Sequence, residues 1–240
     1  MSWSDCVVIP PKKVKLQIYF VEANIGAGKS DLLKGLQSKG YRVVPEPLEV
    51  WQKEYINSNG NNILQEFYND SARWAFPFQM VVIMTRYRLI LQTIEEAEKR
   101  ARFSGEDQIV IMERSLFTDR NCFSQLLYDS GEISDLQWKI YTEWHNTFLS
   151  NVVNYIFGQH TFVSKTFSNI ESHFIFLNTN PEVCYSRIQK RARKEEDSVP
   201  LEYIQKLHNK HSEWLKGNSI EIDGNKSHSE VLEQVIYKIT

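Results

Sequence analysis

The segment that most restricts the fold is a short apolar run, Leu16 to Val21 (LQIYFV), that leads without a break into Glu22-Ala23-Asn24-Ile25-Gly26-Ala27-Gly28-Lys29-Ser30. A helical pattern follows through Gln37. A buried strand, a glycine-rich turn and a helix in that order place a ring of backbone N–H groups at a helix N-terminus, which is a site for a phosphate chain. Gly26 and Gly28 let the backbone approach the anion closely. Within Asn24 to Ser30, Lys29 is suited to the terminal phosphates and the Ser30 hydroxyl to Mg²⁺. The pattern G-x-x-x-x-G-K-[ST] has Ala23 in place of its first glycine, a modest departure. Lys29 is expected to project into a solvated loop. A glycine-rich turn with an idle lysine is the plainer alternative, and the flanking strand and helix favour the phosphate site.

Four more short strands follow, at Tyr41–Val44, Ile109–Met112, His173–Leu177 and Ser219–Ile222. Helical patterns separate them: Ile63–Arg100, with Pro77 as a possible kink, Phe117–Leu127, Asp135 to about Tyr155, a helix from Pro181, Pro200–Leu215 and Ser229–Lys238. Asn57–Asn62 reads as a loop, and Gly158–Ser172 as loop within a long surface excursion, 151–172, with no functional reading. Strands alternating with helices predict an α/β fold with a five-stranded parallel sheet flanked by helices, its ligands at the carboxyl ends of the strands. Residues 1–15 read as a flexible leader and 16–240 as a single domain. Lys plus Arg number 28 against 30 Asp plus Glu, and no apolar run approaches a membrane span, so neither nucleic acid nor membrane is an expected partner. Cys6, Cys122 and Cys184 lie far apart, as buried thiols of a cytoplasmic protein do.

Two further segments leave the sheet at the same edge. Val44-Pro45-Glu46-Pro47 sets a carboxylate just past the second strand, where a general base for a sugar hydroxyl would be needed; a solvated loop glutamate is the alternative. Glu113-Arg114-Ser115 follows the third strand in the same way, and by itself could be a structural ion pair.

Taken together, NIGAGKS, VPEP with Trp51, RWAFPFQ (73–79), ERSLFTDR (113–120), Trp144-His145 and RIQKRARKEEDSVPLEYIQKLH (187–208) resemble the deoxynucleoside kinases for deoxycytidine and deoxyguanosine and the insect multisubstrate kinases. The blocks stand in that family's order from residue 16 to 223. The resemblance implies a P-loop kinase fold that transfers the γ-phosphoryl group of ATP, or another nucleoside triphosphate, to a deoxynucleoside 5′-hydroxyl in nucleotide salvage. It implies a homodimer as well. Glu46 resembles the base, Arg114 the residue that positions hydroxyl and phosphoryl group, and Glu113 a partner of Ser30 in holding Mg²⁺. Tyr68 and Glu196 resemble the pair that grips the 3′-hydroxyl. Arg187, Arg191 and Arg193 resemble the arginines of a short lid at about 187–198, and Asp223 joins the donor-binding set. The plainer reading of the charge run 190–197 is a solvated helix end.

Gln79, Val82 and Arg86 recur on one helix face beside Phe78, and this face resembles the family's base pocket. Gln79 resembles the amide that pairs with the base edge, and Trp51, Phe78 and Phe123 its walls. Arg86 and Asp119, expected to hold each other, resemble the pair in kinases for deoxycytidine and deoxypurines; thymidine-accepting members have small or apolar residues there. Val82 is bulkier than the residue often found with that pair, which leaves the preferred base open. A nucleoside monophosphate kinase would need a cation or neutral group where Glu46 stands. A structural subunit of the same fold would have a decayed site.

Overall fold

The computed structural model describes residues 13–158, 162–191, 193 and 199–240. Its central strand, β1 (Val14–Glu22), is apolar on both faces from Ile18 to Val21, where helices cover both. Tyr19 and Val21 pack into one core with α1 (Lys29–Ser38), whereas Val14, Leu16, Ile18 and Phe20 pack into the other. The chain then forms β2 (Arg42–Val44), α2 (Leu48–Lys53), α3 (Ile63–Asn69), α4 (Ser71–Ser104) and β3 (Gln108–Glu113). Next come α5 (Leu116–Thr118), a π-helical turn at Asp119–Ser124, α6 (Gln125–Asp129), α7 (Asp135–Phe157), α8 (Phe162–Thr166) and β4 (Phe167–Asn178). α9 (Pro181–Arg191), α10 (Leu201–Leu215), β5 (Ile220–Asp223) and α11 (His228–Ile239) complete it. Among the described residues every pairing within the sheet is parallel, in the order β2-β3-β1-β4-β5. The fold is thus α/β with a five-stranded parallel sheet between helices, as expected.

Three expectations need correction. The fourth strand starts at Phe167 rather than His173, and α8 precedes it, so much of the presumed excursion 151–172 is regular structure. Ser168, Asn169, Glu171 and Ser172 hide the strand in the sequence; pairing with β1 from Val14 onward imposes it. The same pairing takes Val14 and Lys15 out of the leader, whose residues 1–12 lie outside the described ones. The long helical stretch breaks at Asp70, not at Pro77. Asp70 leaves the helical region at φ −147° and accepts a hydrogen bond from the Arg73 amide, capping α4, which then runs through Pro77. Among the described residues no helix is long and apolar enough to cross a membrane.

Candidate active site

β1 delivers the phosphate loop. Gly28 opens α1 at φ +102°, and Gly26 sits at φ +74°, where an added Cβ would lie 2.3 Å from the Cys184 carbonyl oxygen. Gly26 thus has no room for a side chain, and at Gly28 a side chain would be strained by the backbone. Ala23 is different: it is fully buried in the core under α1, and Arg114 is the only non-glycine with positive φ among the described residues. At this position the backbone conformation does not call for glycine. Ala23→Gly should lower stability by roughly 0.5–1 kcal/mol and leave kcat/KM within about twofold, as melting and steady-state kinetics would show.

The Asn24 side chain is held within the protein. Its Nδ2 donates to the Ile204 carbonyl at 2.8 Å and its Oδ1 accepts from the Ile25 amide at 2.8 Å, tying the loop to α10. Lys29 departs from expectation, for it is buried and folded back. Its Nζ donates to the carbonyls of Asn24 at 2.9 Å and Ala23 at 3.3 Å. Burial, and then the nearby Arg114 charge, lower its pKa to about 8. Gly26 to Ser30 line a cleft of about 710 Å³ together with Lys34, Arg187, Lys190, Arg191 and Arg193. Arg187 rests on the loop, donating from Nη1 to the Ala27 carbonyl at 3.0 Å. Asp223 does not line the cleft; its carboxylate accepts from the Asn225 amide and Nδ2 at 3.0 and 2.8 Å. Glu196 lies outside the described residues.

Opposite the loop, Glu46 leaves β2 with a side chain only 15% exposed. Arg114 Nη1 donates to both its oxygens, at 2.9 and 2.7 Å, and Arg86 Nη2 donates to Oε1 at 2.8 Å. Its own amide donates to Glu113 Oε2 at 3.2 Å. Burial would raise the carboxyl, but the charges of Arg114, Arg86 and Lys29 overrule it and lower its pKa to about 2. Arg114 has a left-handed backbone, φ +62°, and its guanidinium lies 4.8 Å over the Phe123 ring. A conformation of that kind costs about 1–3 kcal/mol and is kept where its surroundings require it.

Trp51, Tyr68, Phe78, Gln79, Val82, Asp119 and Phe123 line the far end of the same cleft. Trp51 packs edge-on to Phe78 at 5.6 Å and donates from Nε1 to Thr85 Oγ1 at 2.9 Å, so the wall is fixed. Gln79 is held by Ser124, whose hydroxyl donates to Oε1 at 2.9 Å. Arg86 stands behind the lining and is 1% exposed. Its Nε donates to Asp119 Oδ2 at 2.6 Å and its Nη1 to the Glu113 carbonyl at 2.9 Å, while Nη2 holds Glu46. One guanidinium thus ties Asp119, at the far end of the cleft, to Glu46, opposite the loop. Asp119 is pushed up to about 6 by burial, against the pull of Arg86. Sequence reasoning overlooked Thr85, Ser124 and the cleft-lining Tyr203. It also overlooked Glu22, although a carboxylate that closes the apolar run Ile18 to Val21 is a visible signal.

A family model described as deoxynucleoside kinase matches residues 19–240. The probable deoxycytidine kinase of fowlpox virus is 35% identical over 222 residues, covering 91% of this chain and 78% of the viral one. Human deoxycytidine kinase is 36% identical over 208 residues, 81% of this chain and 74% of its own. The mitochondrial deoxyguanosine kinase of Xenopus laevis is 31% identical over 224 residues, 88% and 77%. A glycine-rich loop that faces a half-buried carboxylate across one cleft, with a family model matched over this length, places the chain in the deoxynucleoside kinase family.

Proposed function

We propose that the protein transfers the γ-phosphoryl group of ATP to the 5′-hydroxyl of deoxycytidine or a deoxypurine, in preference to thymidine. The observation that carries this reading is Glu46. An ionised carboxylate facing the phosphate loop accepts a hydroxyl proton and repels an acceptor phosphate, which argues for a nucleoside over a nucleoside monophosphate. Lys29 and the arginines on α9 and just beyond it neutralise the donor, and Arg114 bridges from Glu46 toward the transferring group. Ser30 and Glu113 offer a hydroxyl and a carboxylate on the same cleft, hard oxygen donors that suit Mg²⁺. The ion, held by these two residues, would neutralise negative charge on the donor phosphates. Tyr68, with Glu196, is assigned to the sugar 3′-hydroxyl, and residues 16–240 to one catalytic unit with its lid at about 187–198. The buried free thiols Cys122 and Cys184 suit a reducing compartment, and we place the enzyme in the cytoplasm. A coupled assay with the four deoxynucleosides tests the reading; activity confined to thymidine, or none, would sink it.

The Arg86–Asp119 pair gives a specificity test. Arg86→Met with Asp119→Ala removes the pair together and opens an apolar space where thymine carries its methyl. Since Arg86 also holds Glu46, efficiency should fall for every nucleoside. The ratio of thymidine to deoxycytidine (or deoxypurine) kcat/KM should nevertheless rise at least about tenfold, roughly 1.4 kcal/mol of differential binding. An unchanged ratio would show that the pair does not read the base.

We also propose a homodimer. α7 exposes Leu136, Ile140 and Trp144 at four-residue spacing, an apolar stripe that a second copy would cover. Sedimentation equilibrium should give twice the chain mass, and a charged residue at Trp144 should shift it toward monomer.

A further inference from the structure

Glu22 ends β1 immediately before the phosphate loop, and it is fully buried. Strand alternation puts it on the face of Phe20, away from α1 and toward α5. There its Oε2 accepts a hydrogen bond from the Thr118 hydroxyl, while Oε1 is buried without a partner among the described residues. Packing does not explain a carboxylate here. A methionine would fill similar volume without the cost of taking a charge or a carboxylic acid out of water.

What Glu22 touches does explain it. Ser115 and Thr118 form the N-terminal box of α5: the Thr118 amide donates to Ser115 Oγ at 3.3 Å, and the Ser115 amide to Thr118 Oγ1 at 3.5 Å. A threonine hydroxyl has one proton. Once that proton goes to Glu22, the oxygen is left as the acceptor that the Ser115 amide needs. Immediately before the box stands Arg114, with its left-handed backbone and its grip on Glu46. Immediately after it stands Asp119, the partner of Arg86.

We propose that Glu22 is a positioning residue: by anchoring the Ser115–Thr118 turn from below, it aims Arg114 at the transferring group and Asp119 at the base. The inference rests on the kinase reading above. It adds that one buried carboxyl couples turnover to nucleoside selectivity, through a residue that touches neither substrate.

The test compares Glu22→Met, Glu22→Gln and Thr118→Val by melting temperature and by kcat and KM for deoxycytidine and thymidine. Glu22→Met should melt at or above the wild type, yet lose at least about tenfold in deoxycytidine kcat and narrow the ratio between the two nucleosides. Glu22→Gln retains a carbonyl acceptor for Thr118 and should stay within about threefold of wild type. Thr118→Val should reproduce the kinetic losses of Glu22→Met, and the double variant should be no worse than either single one. If Glu22→Met fails to fold, Thr118→Val decides alone. Wild-type kcat and selectivity in Glu22→Met or in Thr118→Val would overturn the inference by itself. A wild type inactive on every nucleoside would overturn the kinase reading and this inference with it.

Discussion

Replacing Glu46 with glutamine should lower kcat by roughly 10²- to 10⁴-fold while the protein still folds and binds nucleoside. The carboxylate receives three hydrogen bonds from two guanidinium groups and is held at about 2, so it is ionised throughout the physiological range. Toward a free alcohol so weak a base does little. In a loose phosphoryl-transfer transition state, however, the attacking oxygen becomes acidic only as its bond to phosphorus forms, and the proton needs an acceptor then. Glutamine keeps one oxygen for orientation but removes the charge that takes the proton. It also leaves Arg114 with a weaker partner, which should destabilise the fold by about 1–3 kcal/mol. The pH dependence has a definite sign. Because the folded-state pKa is depressed, the Glu46 ion pairs contribute fully above the ordinary carboxylate range, and the contribution is lost as pH falls from there toward about 2. The stability gap between wild type and variant should therefore close in acid. Turnover near wild type would remove Glu46 from the mechanism.

The parts of this site that could be read from the chain are those in which chemistry follows sequence neighbours. Gly26, Gly28, Lys29 and Ser30 belong to one loop, Glu46 follows one strand, and Glu113-Arg114 follows another. A parallel sheet then brings these segments to one edge. Buried strands β1 and β3 were legible as apolar runs, because both their faces are covered. The first half of β4 was not, since its polar residues have no strand preference of their own and take the conformation from β1.

What escaped the sequence is tertiary. The Arg86–Asp119 contact was expected, but only packing shows that the same guanidinium also holds Glu46 and the Glu113 carbonyl, across 40 and 27 residues of chain. The helix break at Asp70 turned on a cap hydrogen bond, while Pro77, the louder signal, did not break the helix. The burial of Lys29 was hidden as well, because a lysine in a glycine-rich loop carries no sign that it folds back on its own carbonyls.

That buried pose changes the expected behaviour of Lys29. Lys29→Met should abolish measurable phosphorylation, a loss of at least about 10²–10³-fold in kcat, because removing one preorganised donor to developing charge has that effect and this donor carries a full charge. The same variant should be more stable than the wild type at neutral pH. Among the described residues the ammonium meets two carbonyl oxygens and no carboxylate within hydrogen-bond distance, and burial lowers its pKa to about 8. Keeping it charged and buried costs about 3 kcal/mol, which a methionine of similar length avoids. The folded protein releases this proton at lower pH than the unfolded chain, so the cost is complete below about pH 8 and fades as pH rises toward the ordinary lysine value. Denaturant melts across that range should show the wild type gaining on Lys29→Met. Bound nucleoside triphosphate would reverse the balance, since its phosphates set negative charge beside the ammonium. ATP should therefore raise the wild-type melting temperature more than that of the variant. A variant that melts lower at every pH, or that retains turnover, would place Lys29 in a structural role instead.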